Sequence, residues 1–326
     1  MRRELLVGSV LVTGLFAASQ PVAMASNDSR ANPNLVEMVF HGTSEAVRYL
    51  PAMDLAGQPK RVFFEVDREP PSDRAGVHEP EIGHGPHALR IDDPLALESQ
   101  LWSGSGSQSP GLSVDFDGLP STIVGPPDSE GAVGPDHYFQ AVNVAFRIFD
   151  KQGTSLTGPT PTNALWAGTG SHCASDIYAD PIIVYDEAAD RWVLTHLAFV
   201  SSAGLVGCMA VSRSPDPTGD YFLYELETVG LPDSPKVGVW PDTVHNAYFI
   251  STNPGPLGTF DVYAVDRQSL LAGAEPRPAQ MFTGNPNFMM PADLDGSRPA
   301  PAGSPGIFYT FRDGGEDYFI PGTPVD

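Results

Sequence analysis

Pro181-Ile-Ile-Val-Tyr185 runs into Asp186-Glu-Ala-Ala-Asp190, and Arg191-Trp-Val-Leu-Thr-His-Leu-Ala-Phe199 follows at once. Two runs rich in β-branched and aromatic residues, joined by a short polar turn, read as a β-hairpin. The plan recurs in both directions. Upstream, 138–149 meets the turn Asp150-Lys-Gln-Gly153; downstream, 205–211 is followed by 221–226, 237–240 by 246–251, and 259–265 by a turn at Asp266-Arg267. Only 95–102 and 268–274 read as helical turns. Hairpins in series without crossover helices argue against α/β folds and leave a propeller or a sandwich. The propeller is favoured because strands end alike, at Phe149-Asp150, Tyr185-Asp186 and Val265-Asp266, about 35 and then about 80 residues apart, one blade and then two. The expected fold is all-β and β-propeller-like over residues 111–326.

Composition agrees. The chain has 326 residues, with 33 Gly and 33 Pro, which punctuate it too often for long helices. Acidic residues outnumber basic ones 40 to 18, for a net charge of -22, and 26 of the acids are Asp, a residue of turns, caps and metal loops. A field of that sign repels nucleic-acid backbones, so no nucleic-acid partner is expected; cations, neutral glycans and basic peptides are compatible with it. Residues 1–25 read as a signal peptide, with Arg2 and Arg3, an apolar run over 5–18 and the cleavage signal Ala23-Met24-Ala25. That run is too short for a membrane span, so no integral membrane segment is expected. The mature chain is expected to be secreted, periplasmic or cell-surface after cleavage near Ala25. Residues 26–110 mix short apolar pieces with polar and Pro-rich stretches and read as an irregular N-terminal region. Within it, His78, His84 and His87 read as part of an exposed loop rather than a metal site, and 103–110 as a flexible linker.

Cys173 and Cys208 are the only cysteines, and in an exported chain they are expected to form a disulfide. Closing that loop stabilises by about 4 kcal/mol on the chain-entropy model. A thiol nucleophile served by His172 is disfavoured, since neighbours in a strand point to opposite faces.

The acids cluster at strand ends. Asp128, Asp136, Asp180 and Asp242 lie beside aromatic and Gly-rich stretches, and a propeller gathers equivalent loops around one end of its axis. They are the candidates for a shared ion or ligand site, or for the acid and base of a glycoside hydrolase. Asp186 and Asp190 flank a tight turn and read as structural. Asp293 and Asp295 alternate as Ca²⁺ ligands would, without EF-hand spacing, and Asp313-Gly-Gly-Glu316-Asp317 is similar. A structural Ca²⁺ is the one cofactor expected. Trp192, in a continuous apolar run, reads as core, whereas Trp240, followed by Pro241-Asp242, marks a strand end. Trp240, Asp242 and His137 are the candidate ligand-binding residues. Lys236 is expected to pair with Asp233 or Asp242. No zinc-protease, phosphate-loop or dinucleotide motif occurs, and Gly168-Thr-Gly-Ser171-His172 lacks the trailing Gly of a nucleophile elbow.

Taken in order, Phe116-Asp-Gly118, Pro126-Pro-Asp128, Gly131-Ala-Val-Gly134-Pro-Asp-His-Tyr138, Asp180-Pro181, Asp190-Arg-Trp192, Asp216-Pro-Thr-Gly219, Pro235-Lys-Val-Gly-Val-Trp-Pro-Asp242 and Pro291-Ala-Asp-Leu-Asp-Gly296 resemble a family of exported bacterial β-propeller-like proteins. The resemblance covers two thirds of the chain. That family has no established activity, so the resemblance implies a secreted or surface-attached module and transfers no catalytic residue. Two functions are expected in order. The first is a non-catalytic binding or surface module that recognises extracellular glycan or protein at its rim. The alternative is a secreted carbohydrate-active hydrolase using paired aspartates. The chain stops at Asp326, where the family's modules call for further strand pairs. A module incomplete at its C-terminus, a ring completed by the pieces at 35–40 and 61–66, and an edge covered by a partner are all compatible with the sequence.

Overall fold

The computed structural model describes residues 34–53, 61–62, 114–120, 124–175, 180–200, 204–228, 233–242, 246–253, 260–284, 289–296 and 298–310. The stretches read as a signal peptide, a three-histidine loop, a helical turn at 95–102 and a linker at 103–110, and the acids at 313–317, lie outside the described residues. One compact unit holds every strand among the described residues.

The strands follow the β-branched and aromatic runs. β1 (Leu35–Val36) and β2 (Met38–Thr43) come first, and β3 (Arg61–Val62) pairs in parallel with β4 (Val124–Gly125). β5 (Glu130–Val133), β6 (His137–Val142), β7 (Ala145–Asp150) and β8 (Thr160–Pro161) form the first antiparallel sheet. The second is built from β9 (Ile182–Asp186), β10 (Arg191–Val200), β11 (Gly204–Ser212) and β12 (Tyr221–Glu227). The third contains β13 (Asp233–Val239), β14 (Ala247–Asn253), β15 (Phe260–Asp266) and β16 (Ala279–Gly284). A fourth has β17 (Met290–Pro291) and β18 (Phe308–Tyr309). The first strands of successive sheets, β5, β9, β13 and β17, neighbour one another, which is a propeller-type arrangement. Among the described residues the one α-helix is α1 (Arg267–Ala272), capped by the Asp266 carboxylate and ended by Gly273 at φ 65°.

Each inner sheet is apolar on both faces, which is why its strands read as continuous apolar runs. In β9, Ile182 and Val184 face the third sheet with Tyr248, Ile250 and Val265, while Ile183 faces the first with Phe139, Ile148 and Trp192. Trp192 is fully buried, donates its indole N–H to the Pro215 carbonyl at 2.9 Å and packs on Tyr185 and Phe139. A Cβ at Gly134 would lie 2.5 Å from that indole, so the Gly of Gly-Pro-Asp-His-Tyr is there for close approach. Asp186 is fully buried and bridges two sheets, accepting two Arg267 N–H groups at 2.7 Å and the Tyr248 hydroxyl at 2.8 Å. Asp190 accepts the Tyr185 hydroxyl.

The Asp-ended strands are not equivalent positions, contrary to the repeat read from sequence. Asp150 and Asp266 end third strands, and Asp186 ends a first strand. The positional repeat lies instead at the starts of the first strands, with Asp128, Asp180 and Asp233 spaced 52 and 53 residues apart.

Of the N-terminal pieces, Arg61–Val62 forms only the short parallel pair with β4, and 35–43 extends existing sheets. β1 pairs with β16 and β2 with β12, so each becomes a fifth strand on the edge of an existing sheet. Beyond β2 the chain donates from Ser44 to Tyr221, from Val47 to Gly219, from Arg48 to Thr218 and from Met53 to Pro159. Residues 34–53 thus form a strap across the third, second and first sheets. The disulfide Cys173–Cys208 is present, with Cα atoms 5.8 Å apart, and ties the turn His172–Ala174 to β11.

Candidate functional site

The starts of the first strands carry a carboxylate network. Asn143, in the β6–β7 turn, donates from Nδ2 to the Pro126 carbonyl at 2.8 Å and to Asp128 Oδ2. Its Oδ1 accepts the Asp180 N–H at 2.9 Å, and Asp180 Oδ2 accepts the Ser234 N–H at 2.9 Å. Asp180 also hydrogen-bonds the Asp233 carboxyl. Burial raises Asp233 above the ordinary carboxyl range, opposed by the Asp180 bond and the Ser234 N–H and reinforced by the Asp128 charge. Asp128, Asp180 and Ser234 all have positive φ, at 41°, 59° and 42°, a backbone cost that the network holds in place. Two carboxyls in hydrogen-bond contact are too close to flank a glycosidic bond, which needs about 5 Å or more.

The four candidate acids do not share one end of the sheets. Asp128 and Asp180 precede β5 and β9, whereas Asp136 follows β5 in an exposed turn and Asp242 follows β13 half-buried. β13 alone, at about 3.3 Å per residue, separates its ends by roughly 20 Å. His137 opens β6 opposite Asp150, half-exposed, on the Asp136 side. Trp240 packs half-buried against the cluster around Phe249 and Phe308, between the third and fourth sheets. Asp233 was missed as a site residue, although Pro-Asp-Ser recurs at 127–129 and 232–234.

Between the first strands lies a cleft of about 590 Å³. Its walls carry Glu130 from β5, Tyr185 and Glu187 from β9 and its turn, Lys236 from β13, and Asp293 and Asp295 beyond β17. Gly238 lets β13 approach β17, since a Cβ there would meet the Ala292 carbonyl at 2.5 Å. Burial raises the Glu130 carboxyl, with Lys236 and the Gly131 N–H pulling against it. Burial also raises Asp293, against the Val239 N–H it accepts at 2.7 Å and with the Asp295 charge. Lys236 donates to the Pro235 and Ser234 carbonyls at 3.2 and 3.4 Å. Val133, Met290 and Tyr309, each at least 41% exposed, add an apolar lip to the same cleft. Among the described residues, no group of three or more His, Cys, Asp or Glu is arranged to hold a metal ion. No described helix is long and apolar enough to cross a membrane.

Fold and site define a mainly β-stranded protein of propeller type with a carboxylate-lined cleft between its first strands. No family model matches the chain, and no curated protein matches it. The motif resemblance to an exported bacterial family therefore stands on its motifs alone. Among solved structures, the chain has a likeness to an exo-β-1,3-galactanase from Phanerochaete chrysosporium, solved with galactose, at 10% identity and a TM-score of 0.30. The likeness spans 50% of this chain and 40% of that one. At that score it bears on neither fold nor function.

Proposed function

We propose that the protein is exported and binds an extracellular glycan in the cleft between its first strands. The observation that carries this reading is the cleft's mixture of groups. Carboxyls and a lysine can hydrogen-bond sugar hydroxyls, while Val133, Met290 and Tyr309 offer apolar surface for a sugar ring's C–H face. The acidic lining favours neutral glycans over uronic or sulfated ones. This relocates recognition from Trp240, His137 and Asp242 to Glu130, Lys236, Asp293 and Tyr309.

Hydrolysis is the second reading, favoured by one observation. Glu130, whose carboxyl burial raises as an acid's would be, lines the cleft from β5, and Asp293 lines the same cleft from the chain beyond β17. Asp180 is not among the residues lining that cleft.

Titration of mature protein with a panel of neutral polysaccharides tests the first reading. Tyr309→Ala is expected to weaken binding on the order of tenfold, the equivalent of 1.4 kcal/mol. Wild-type binding unchanged in Tyr309→Ala and in Lys236→Ala would remove the cleft from consideration. Reducing-end release by wild type, lost in Glu130→Gln with binding retained, would establish the second reading.

A further inference from the structure

Glu225, in β12, lies outside the cleft and outside the strand-start network. Its side chain is 13% exposed and accepts the Ser171 hydroxyl, the His172 backbone N–H at 3.0 Å and a bond from His172 Nδ1 at 2.7 Å. His41 Nε2 stands 3.6 Å from Glu225 Oε2. The two imidazoles reach this carboxylate from unlike directions. His172 sits in the turn that the disulfide fixes to β11, where Cys208 is the register partner of Glu225. His41 belongs to the strap. Between Leu223 and Tyr224 the pairing of β12 with β2 slips, and Gly42 has φ 96°, which makes His41 the extra residue of a β-bulge. Bulges re-aim side chains, and this one brings His41 to Glu225.

The other charged groups lining the adjoining pocket of about 340 Å³ are Glu37, from between β1 and β2, and Glu227, at the end of β12; among the described residues no Arg or Lys lines it. Burial alone would raise the Glu225 carboxyl, but the Ser171 hydroxyl and His172 hold it below its ordinary value. It therefore stays ionised over the range in which histidine side chains gain charge.

We propose that His41, His172 and Glu225 form a pH-sensitive clasp that tightens the N-terminal strap on the second sheet as the medium acidifies. One jaw is covalently fixed through Cys173, and the other rides on a strand held by backbone hydrogen bonds. An imidazolium at His41 faces this fixed anion across the contact between strap and sheet, where a neutral imidazole brings no charge. Below the range in which Glu225 itself takes a proton, the clasp opens again.

Hydrogen exchange in the mature protein, corrected for intrinsic pH dependence, tests this at the Ser44, Val47 and Arg48 amides, which donate to the second sheet. Their exchange relative to β10 amides is expected to slow on the order of fivefold between pH 7.5 and 5.5. Glu225→Gln and His41→Gln should each abolish the slowing, since His41 is the member of the clasp that the strap carries. No slowing in wild type, or the same slowing in Glu225→Gln, would overturn the clasp. Should Glu225→Gln lose its fold by circular dichroism, His41→Gln decides, since it removes only the strap's contribution; a full response there overturns the proposal.

Discussion

His196 lies in β10 opposite Cys208, 1% exposed, edge-on to Trp166 with ring centroids 4.8 Å apart, and neither of its ring nitrogens has a hydrogen-bond partner. Burial pushes this imidazole down to about 3 from its ordinary 6.5. The unfolded chain therefore takes up a proton that the folded one refuses. The associated stability is complete above pH 6.5 and is lost progressively as pH falls toward 3. Between pH 7.5 and 4.5 the loss is expected to be about 2–3 kcal/mol. Urea unfolding of wild type and His196→Leu over that range checks it: the two curves should diverge on acidification, the variant losing less. Parallel curves would show that His196 finds a proton acceptor when charged. None of this was legible in Leu194-Thr-His-Leu197, because burial of one strand face depends on which sheet covers it.

At the scale of elements, the strap shows which contacts hold it. Val47 is 1% exposed and packs in the core between the first and second sheets, while Arg48 pairs with Asp216 at 2.8 Å with both side chains more than 40% exposed. Burial outweighs an exposed ion pair. Val47→Ala is expected to cost about 2 kcal/mol and Arg48→Ala about 1 kcal/mol or less, as read by denaturant midpoints. The reverse order would mean that the turn Asp216-Pro-Thr-Gly219, and not the core beneath it, anchors the strap. The strands from β9 to β15 were legible because periodicity and turns are local, as at Asp150, whose carboxylate accepts the Gln152 and Thr154 amides; 138–149, read as one run, instead folds back on itself as β6 and β7 at Asn143-Val144, where Val144 has φ 69°. The strap was not. Residues 35–40 read as apolar, but a lone strand carries no signal naming its partner, and β2 pairs with residues more than 170 positions away.

At the scale of the whole molecule, successive sheets are joined by burying polar groups as well as by apolar faces. The Asp186–Arg267 pair, 0% and 7% exposed at the side chains, links the second sheet to the start of α1 beside the third. Asp186→Asn would leave a buried guanidinium without its counter-ion and is expected to cost about 3–5 kcal/mol in thermal or urea unfolding. A cost under about 1 kcal/mol would mean that Asn246, which already accepts from Arg267 at 2.7 Å, takes over as partner. The residue sequence by itself determined the all-β class, the hairpin succession, the Cys173–Cys208 bond and the core placement of Trp192, since each follows from local pattern or from two cysteines in one chain. Tertiary structure alone decided that Asn143 bridges Asp128 and Asp180 while Asp136 and Asp242 lie past the other strand ends, that Asp233 adjoins Asp180, and that Glu130, Lys236 and Asp293 face one cleft. Strand direction decides which ends meet, and side-chain alternation decides which residues face the cleft; both depend on how sheets pack across long stretches of chain.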